Sequence, residues 1–238
     1  MFTHHRARGI ILSAREKRDS DIIFTIFTED IGKLEVIGRS IRKGGSKLAM
    51  GMSLFSFVEI GFVEGRTCNT LTDAVPIRDF REAKKDLGKL SLLYRVSEIT
   101  LLLVHGQEKD ERIFSLLLSS MEKINELSLS RRELKLFLCF FSFHLLYFLG
   151  YRMYTKKCVF CKGRIKGDCY FNPKEGGVAC KRCFKRKPSG IYLEDVSSLN
   201  SFFKSDVSEI LSENPAVFLK VLDNYLSFIP EAKGKRFV

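Results

Sequence analysis

The sequence predicts an α+β protein of several modules: a five-stranded OB-fold barrel at the N-terminus, then an α-helical domain carrying an inserted four-cysteine zinc-ribbon element. Three observations predict it. Apolar residues alternate with period two in five short runs before Pro76 and recur with period 3.6 after it, and two C-x-x-C pairs stand 18 residues apart. With 238 residues, 45% of them hydrophobic, the chain can bury a substantial core.

The five runs are "GIILSA", "DIIFTIFT", "KLEVIG", "SLFSFVEIGF" and "TCNTLTDAV". The second and third are joined by "EDIGK", where Gly32 suits a turn position of positive φ. The third and fourth are joined by "RSIRKGGSKLAMGM", polar and glycine-rich at first and weakly helical afterwards. Five short strands with an irregular or helical link between the third and fourth are the layout of an OB barrel.

Beyond Pro76, Leu87, Leu90, Tyr94, Leu101 and Val104 fall along one helical face, and Ile113, Leu116, Leu117, Ile124 and Leu127 along another. A third helix is announced by Ser130 and Glu133, the spacing of a capping box, and ends near Gly150, suited to a left-handed cap. It is apolar almost all round, which predicts burial at the centre of a bundle. Helical patterning returns from about Asp195 to Phe228, with Asn214 and Pro215 as N-cap and first helical residue. The module boundaries expected are 1–79 for the barrel, 80–152 and 191–238 for the two parts of the helical domain, and 153–190 for the cysteine insertion.

Cys158, Cys161, Cys180 and Cys183 match the spacing with which two tight turns present four sulfurs tetrahedrally to Zn²⁺. Four thiolates close the coordination sphere, so one structural ion is expected and no metal-bound water. Cys169 lies outside that register and reads as an ordinary thiol; Cys68 and Cys139, in a strand and a helix, read as small buried hydrophobes. His4 and His5 read as an exposed pair at a mobile terminus, His144 as a hydrogen-bonded core histidine, and His105 as a contact at a helix end. G-x-S-x-G, Walker and H-E-x-x-H motifs are absent and the acids are scattered, so no enzyme is expected.

Charge is concentrated. Residues 151–190 carry 12 basic side chains against 2 acidic ones, nearly all of a formal excess of +12. Such concentration is the footprint of a polyanion site. One basic stretch is the barrel loop with Arg39, Arg42, Lys43 and Lys47, where an OB barrel clasps strands. The other is the cysteine segment, with Lys156, Lys157, Lys162, Arg164 and Lys166, then Lys181, Arg182, Lys185, Arg186 and Lys187. Phe24, Phe27, Phe55, Phe57 and Phe62 are available in the barrel as stacking platforms, although phenylalanine in a strand more often fills a core. Binding through backbone phosphates, weakly sequence-dependent and strongly salt-dependent, is therefore expected. The N-terminal apolar run is only Ile10 to Leu12, too short for a signal peptide, and the longest, Leu136 to Leu149, is too short to span a bilayer; a cytoplasmic chain with reduced thiols and no membrane partner is expected.

The elements "DSDII" (Asp19 to Ile23), "FTEDIGK" (Phe27 to Lys33), "LTDAV", "RRELKLFL", "FLGY", "CVFCKG", "GGVACKRC" and "DNYLSFI" occur in that order over nearly the whole chain, and together they resemble the RecO recombination-mediator family of bacteria. The resemblance implies an OB-fold, a helical domain and a zinc-binding element in a bacterial, nucleoid-associated protein of DNA repair. Such a protein binds single- and double-stranded DNA, anneals complementary strands, and works with RecR and the single-strand-binding protein to load RecA. It adds Lys33 to the DNA-contacting candidates and places Arg131 or Arg132 where the C-terminal tail of the single-strand-binding protein is gripped. A competing reading of the same basic knuckles is a zinc-ribbon RNA-binding or transcription factor without annealing activity.

Overall fold

The computed structural model describes residues 3–17, 20–42, 46–106, 109–165, 167–186, 190–194, 199, 211 and 214–229. They belong to two compact units, Met1–Leu127 and Ser128–Val238.

In the first unit, β1 (His4–Lys17), β2 (Asp21–Thr28), β3 (Gly32–Gly38), β4 (Phe57–Val63) and β5 (Asn69–Arg78) close into a barrel in the order β1-β2-β3-β5-β4. β1 is longer than the "GIILSA" run because it serves two neighbours. Its first half pairs with β4 from His4↔Val63 to Ile10↔Phe57, and its second half pairs with β2 from Gly9↔Thr28 to Lys17↔Asp21, with an irregularity between Ile11 and Ser13. Such a break bends a strand and lets one ribbon turn the corner of a barrel. Closure is completed by the parallel pair β3 and β5, at Val36↔Asn69 and Ile37↔Thr70. The alternating apolar residues meet inside: Ile11, Phe24, Ile26, Leu34, Val36, Val58, Ile60, Phe62 and Leu71 form one core.

The turn into β3 has Gly32 at φ 80, and the Thr28 hydroxyl donates to the Gly32 carbonyl at 2.9 Å. The link after β3 contains a short helix, α1 (Lys47–Gly51), as its composition suggested. Two strand limits differ from the sequence expectation: residues 53–56 precede β4 rather than joining it, and Cys68 lies in the bend before β5, half-buried, rather than in a strand. His4 and His5 are not on a free terminus either. Both lie in β1, and His5 stacks on Phe62 with centroids 5.3 Å apart, 3.7 Å from the Glu64 carboxylate.

Helices α2 (Arg81–Lys85), α3 (Leu87–Leu103) and α4 (Glu111–Glu126) complete this unit. They cover phenylalanines on the outside of the barrel. Phe27 and Phe57 pack on Phe114 of α4, and Phe55 meets Tyr94 of α3 edge-on at 4.7 Å. All five barrel phenylalanines are buried, so they build core and offer no stacking platform. The buried face of α3 is Leu92, Leu93, Val96, Ile99, Thr100 and Leu103, and this corrects the face drawn through Leu87 and Tyr94, which are 85% and 53% exposed. The α4 face holds at Ile113, Leu117 and Ile124, with Phe114 and Met121 added.

Between barrel and helices, Asp79 accepts from the Lys84 ammonium, from Ser56 at 3.0 Å and from Arg81 at 3.1 Å, while Lys84 also reaches Ser53 at 2.8 Å. Burial alone would raise the Asp79 carboxyl, but these donors outweigh it and hold it below the usual range. Asp79→Ala is expected to cost about 1–2 kcal/mol at neutral pH, by stranding a part-buried ammonium. Because the folded pKa is the lower one, this contribution is present above about pH 4 and fades as the pH falls through the folded value. Urea melts of both proteins should therefore converge in acid, and a constant gap at all pH values would contradict this account.

In the second unit, α5 (Arg131–Phe148) begins with the capping box: Glu133 N–H donates to Ser130 Oγ at 3.4 Å and Ser130 N–H to Glu133 Oε2 at 2.7 Å. Gly150 follows its end at φ 92, a conformation that a side chain would oppose. From Leu136 to Leu146 the helix is buried nearly all round, and it packs on α7 (Pro215–Leu226), which starts with Asn214 as N-cap and Pro215 as its first residue. His144 Nδ1 lies 2.9 Å from the Phe140 carbonyl, and burial lowers its pKa. Cys139 is fully buried, which pushes its thiol up to about 12. Most of the segment 195–213, expected to be helical, lies outside the described residues.

Candidate metal centre and basic ribbon

Between α5 and α7 stand three short strands, β6 (Cys169–Asn172), β7 (Gly177–Cys180) and β8 (Ile191–Leu193), in the order β7-β6-β8, with a short helix, α6 (Lys181–Arg186), after β7. Two turns bring the cysteines together. In the first, Lys162 N–H donates to the Cys158 carbonyl and Cys158 N–H to the Gly163 carbonyl, both at 2.9 Å, with Lys162 in a left-handed conformation at φ 59. In the second, Cys180 ends β7 and Cys183 lies one turn into α6.

The two turns are pinned to each other through backbone: Val159 N–H donates to Val178 and Val178 N–H to Tyr154, each at 2.9 Å. This approach needs a glycine at 177, because a Cβ there would stand 2.5 Å from the Tyr154 carbonyl and 2.7 Å from Val159 Cγ1. The ribbon's inner side is apolar, with Phe171 and Val178 fully buried and Phe171 edge-on to Tyr225 of α7. Burial pushes Tyr225 up to about 12.

The sulfurs of Cys158, Cys161, Cys180 and Cys183 all lie within 4.8 Å of one another and could hold a metal ion. Cys161 and Cys180 are 3.8 Å apart, and the Cys180 N–H donates to Cys158 Sγ at 3.3 Å. Burial opposes ionisation of Cys158, but the N–H groups of Cys161, Cys180 and Phe160 outweigh it and bring the thiol down to about 6. Cys183 is pushed in the opposite direction, to about 12, by desolvation and by the neighbouring sulfurs. A cation at this cluster would favour the thiolate form of all four sulfurs. Cys169, outside the quartet, is buried in β6 opposite Cys180.

Around this cluster the ribbon is basic. Arg164 and Arg182 are exposed, Lys162 donates to the Val159 carbonyl at 2.9 Å, and Lys181 stands 3.7 Å from Asp168. Lys166 lies outside the described residues. On the barrel, several cations are already engaged. The Lys33 ammonium donates to the Val104 carbonyl at 2.7 Å and so caps the C-terminus of α3, Arg42 pairs with Glu16 at 2.7 Å, and Arg15 reaches both Glu35 oxygens at 2.9 and 3.0 Å. Arg39 is exposed, Lys43 lies outside the described residues, and Lys47 is described by its backbone in α1 only. Arg131 and Arg132 are both exposed in the first turn of α5.

A closed barrel, helices and a four-cysteine ribbon occur here in one order along one chain, and two family models match it on both sides of residue 82. Recombination protein O N terminal covers residues 1–80, and Recombination protein O C terminal covers residues 84–227. The chain belongs to the RecO family. A DNA repair protein RecO from Dehalococcoides mccartyi is 27% identical over 179 residues, 75% of this chain and 69% of the relative. One from Halalkalibacterium halodurans is 26% identical over 208 residues, 87% of this chain and 80% of the relative. With one from Desulfitobacterium hafniense the match is 26% over 180 residues and spans 64% of the relative's length. RecO membership supports a role in DNA repair and recombination. Among the described residues no helix is long and apolar enough to cross a membrane.

Sequence reasoning passed over Tyr154. It is 67% exposed and lines a cleft of ≈ 590 Å³ with Lys156, Lys157 and Lys162. The signal was "YTKK", an aromatic followed closely by two cations, hidden inside a longer run of charge.

Proposed function

We propose that this RecO-family chain is a recombination mediator that binds single- and double-stranded DNA, anneals complementary strands, and acts with RecR to load RecA onto strands coated by single-strand-binding protein. The observation that carries this reading is the excess of 12 basic over 2 acidic side chains in residues 151–190, held on a four-cysteine ribbon in a chain of this family. Complementary strands repel through their phosphates. Cations that neutralise both backbones while leaving base edges free let pairing proceed.

The ion of the ribbon is Zn²⁺ in this reading. Sulfurs placed tetrahedrally at about 2.3 Å from zinc stand about 3.8 Å apart, and the Cys161 to Cys180 distance of 3.8 Å agrees. Its part is structural: four thiolates leave no position for water or substrate. The ribbon cations Lys162, Arg164, Lys166, Lys181 and Arg182 and the barrel-loop cations Arg39, Arg42, Lys43 and Lys47 contact phosphates. Lys33, spent on Val104, contributes by fixing the barrel against the end of α3. Arg131 and Arg132 sit at the positive end of the α5 dipole, where two guanidiniums attract a carboxylate-rich tail such as that of the single-strand-binding protein. The modules expected at 1–79, 80–152, 153–190 and 191–238 divide this labour between barrel, helices and ribbon.

Annealing of two fluorescently labelled complementary strands coated with single-strand-binding protein tests the reading. The chain should speed annealing well above the coated-strand background, and the gain should shrink steeply as salt rises. A rate equal to background at low salt would refute it.

A further inference from the structure

We propose that the cleft beside the first cysteine turn is a binding site for one unpaired nucleotide, with the base on the Tyr154 ring and the adjoining phosphates on Lys156 and Lys157. The inference rests on the DNA-binding reading above and deepens it by giving the ribbon a preference for single strands.

Four features carry it. Tyr154 is 67% exposed, a high value for an aromatic residue whose backbone is fixed by hydrogen bonds. Its N–H donates to the Gly176 carbonyl and its own carbonyl accepts from Val178, both at 2.9 Å, so its backbone is bridged to the turn before β7 and to β7 itself. Second, Tyr154 lines a cleft of ≈ 590 Å³, a size that admits a nucleotide. Third, the cleft carries Lys156, Lys157 and Lys162 against a single acid, Glu175. Lys162 is turned to the Val159 carbonyl, whereas neither Lys156 nor Lys157 has an ion-pair partner among the described residues. Fourth, Lys157 bridges backbone to backbone with Arg164, which sets the cleft beside another exposed cation.

An exposed ring on a fixed stretch of backbone, flanked by cations, is what a nucleotide with a free base face requires. In a duplex the base is stacked between neighbours and cannot reach the ring, so the cleft distinguishes unpaired from paired DNA. The barrel cannot supply this contact through its phenylalanines, since all five are buried. An acidic peptide would meet the lysines but make little use of the ring's face, and it is tested as the rival occupant.

The experiment compares full-length wild-type chain, Tyr154→Ala and Tyr154→Phe, each with bound metal quantified, for binding to an oligothymidine, the same oligomer with abasic positions, and a duplex. Tyr154→Ala should bind the oligothymidine about tenfold more weakly, with unchanged salt slope and unchanged duplex affinity. Tyr154→Phe should match wild type, and the abasic oligomer should abolish the difference between wild type and Tyr154→Ala. Photocrosslinking of iodouracil-substituted single strands to the wild-type chain, which needs no variant, should map to Tyr154. Equal weakening on single strands and duplex, or wild-type single-strand binding by Tyr154→Ala with crosslinks elsewhere, would overturn the site while leaving DNA binding standing. Displacement from the cleft by a polyglutamate peptide but not by oligothymidine would overturn it in favour of the peptide. A wild-type chain that binds neither single strands nor duplex would remove the underlying reading, and the site with it.

Discussion

Cys158→Ser is expected to release the metal and unfold the ribbon while leaving the barrel folded. The strands β6, β7 and β8 have four, four and three residues, and strands this short do not hold together on their own. Their apolar anchor is small: Phe171, Val178, Ala179 and Leu193, with Tyr225 beyond. Metal binding at a four-thiolate site is worth about 10 kcal/mol in comparable peptides, far more than that anchor supplies. Cys158 is the most sensitive ligand because its sulfur is fully buried and also accepts the Cys180 N–H at 3.3 Å. Hydrogen exchange should show loss of protection for the Val159, Val178 and Cys180 amides in the variant and in chelator-treated wild type. The amides of β1 to β5 should remain protected, because the barrel core from Ala7 to Leu71 draws on none of the ribbon. Full ribbon protection in a metal-free chain would show that packing alone suffices.

Reversing two ribbon charges together, Arg164→Glu with Arg182→Glu, should weaken single-strand binding roughly 20-fold near 0.1 M salt, since each phosphate left without its cation accounts for about 0.7 of a released counterion and the pair for about 1.4 log units. The salt slope should become shallower by about 1.4. Both side chains are exposed, neither belongs to the metal quartet, and metal content should be unchanged. The corresponding reversal at Arg42 should do less, because that guanidinium already spends part of its charge on Glu16. A salt titration by fluorescence anisotropy reads both quantities, and an unchanged slope would remove the ribbon from the DNA-binding surface.

Much of this architecture was legible residue by residue. Strands β2 and β3 begin and end close to where the period-two runs "DIIFTIFT" and "KLEVIG" do, because a small barrel has one interior and the alternation has one meaning. The Ser130 capping box, the Asn214–Pro215 start and the left-handed Gly150 are local devices that act within one turn of helix, and each stands where its residues announced it. Helix α3 shows where such reading stops. "LGKLSLLYRVSEITLLL" is apolar enough to offer several faces, and the one buried was selected by its partners: Leu93, Val96 and Ile99 turned inward while Leu87 was left in solvent. The same holds for Phe27 and Phe57: that strand phenylalanines tend to fill a core was readable, but the partner that buries these two, Phe114 of α4, was not.

What the sequence alone determined, then, was the class of protein: strand and helix periods, the cysteine spacing that brings four sulfurs to one point, and the crowding of positive charge into residues 151–190. These follow from interactions between near neighbours or from composition, and they survive without knowledge of the fold. Only the tertiary structure decided which of the charges are available. Lys33 is committed to Val104 and Arg15 to Glu35, Arg42 spends part of its charge on Glu16, and Arg164 and Arg182 stand open, as does the ring of Tyr154. Pairing and exposure depend on atoms a few ångströms apart in space and tens of residues apart in the chain, a distance over which no local pattern carries information.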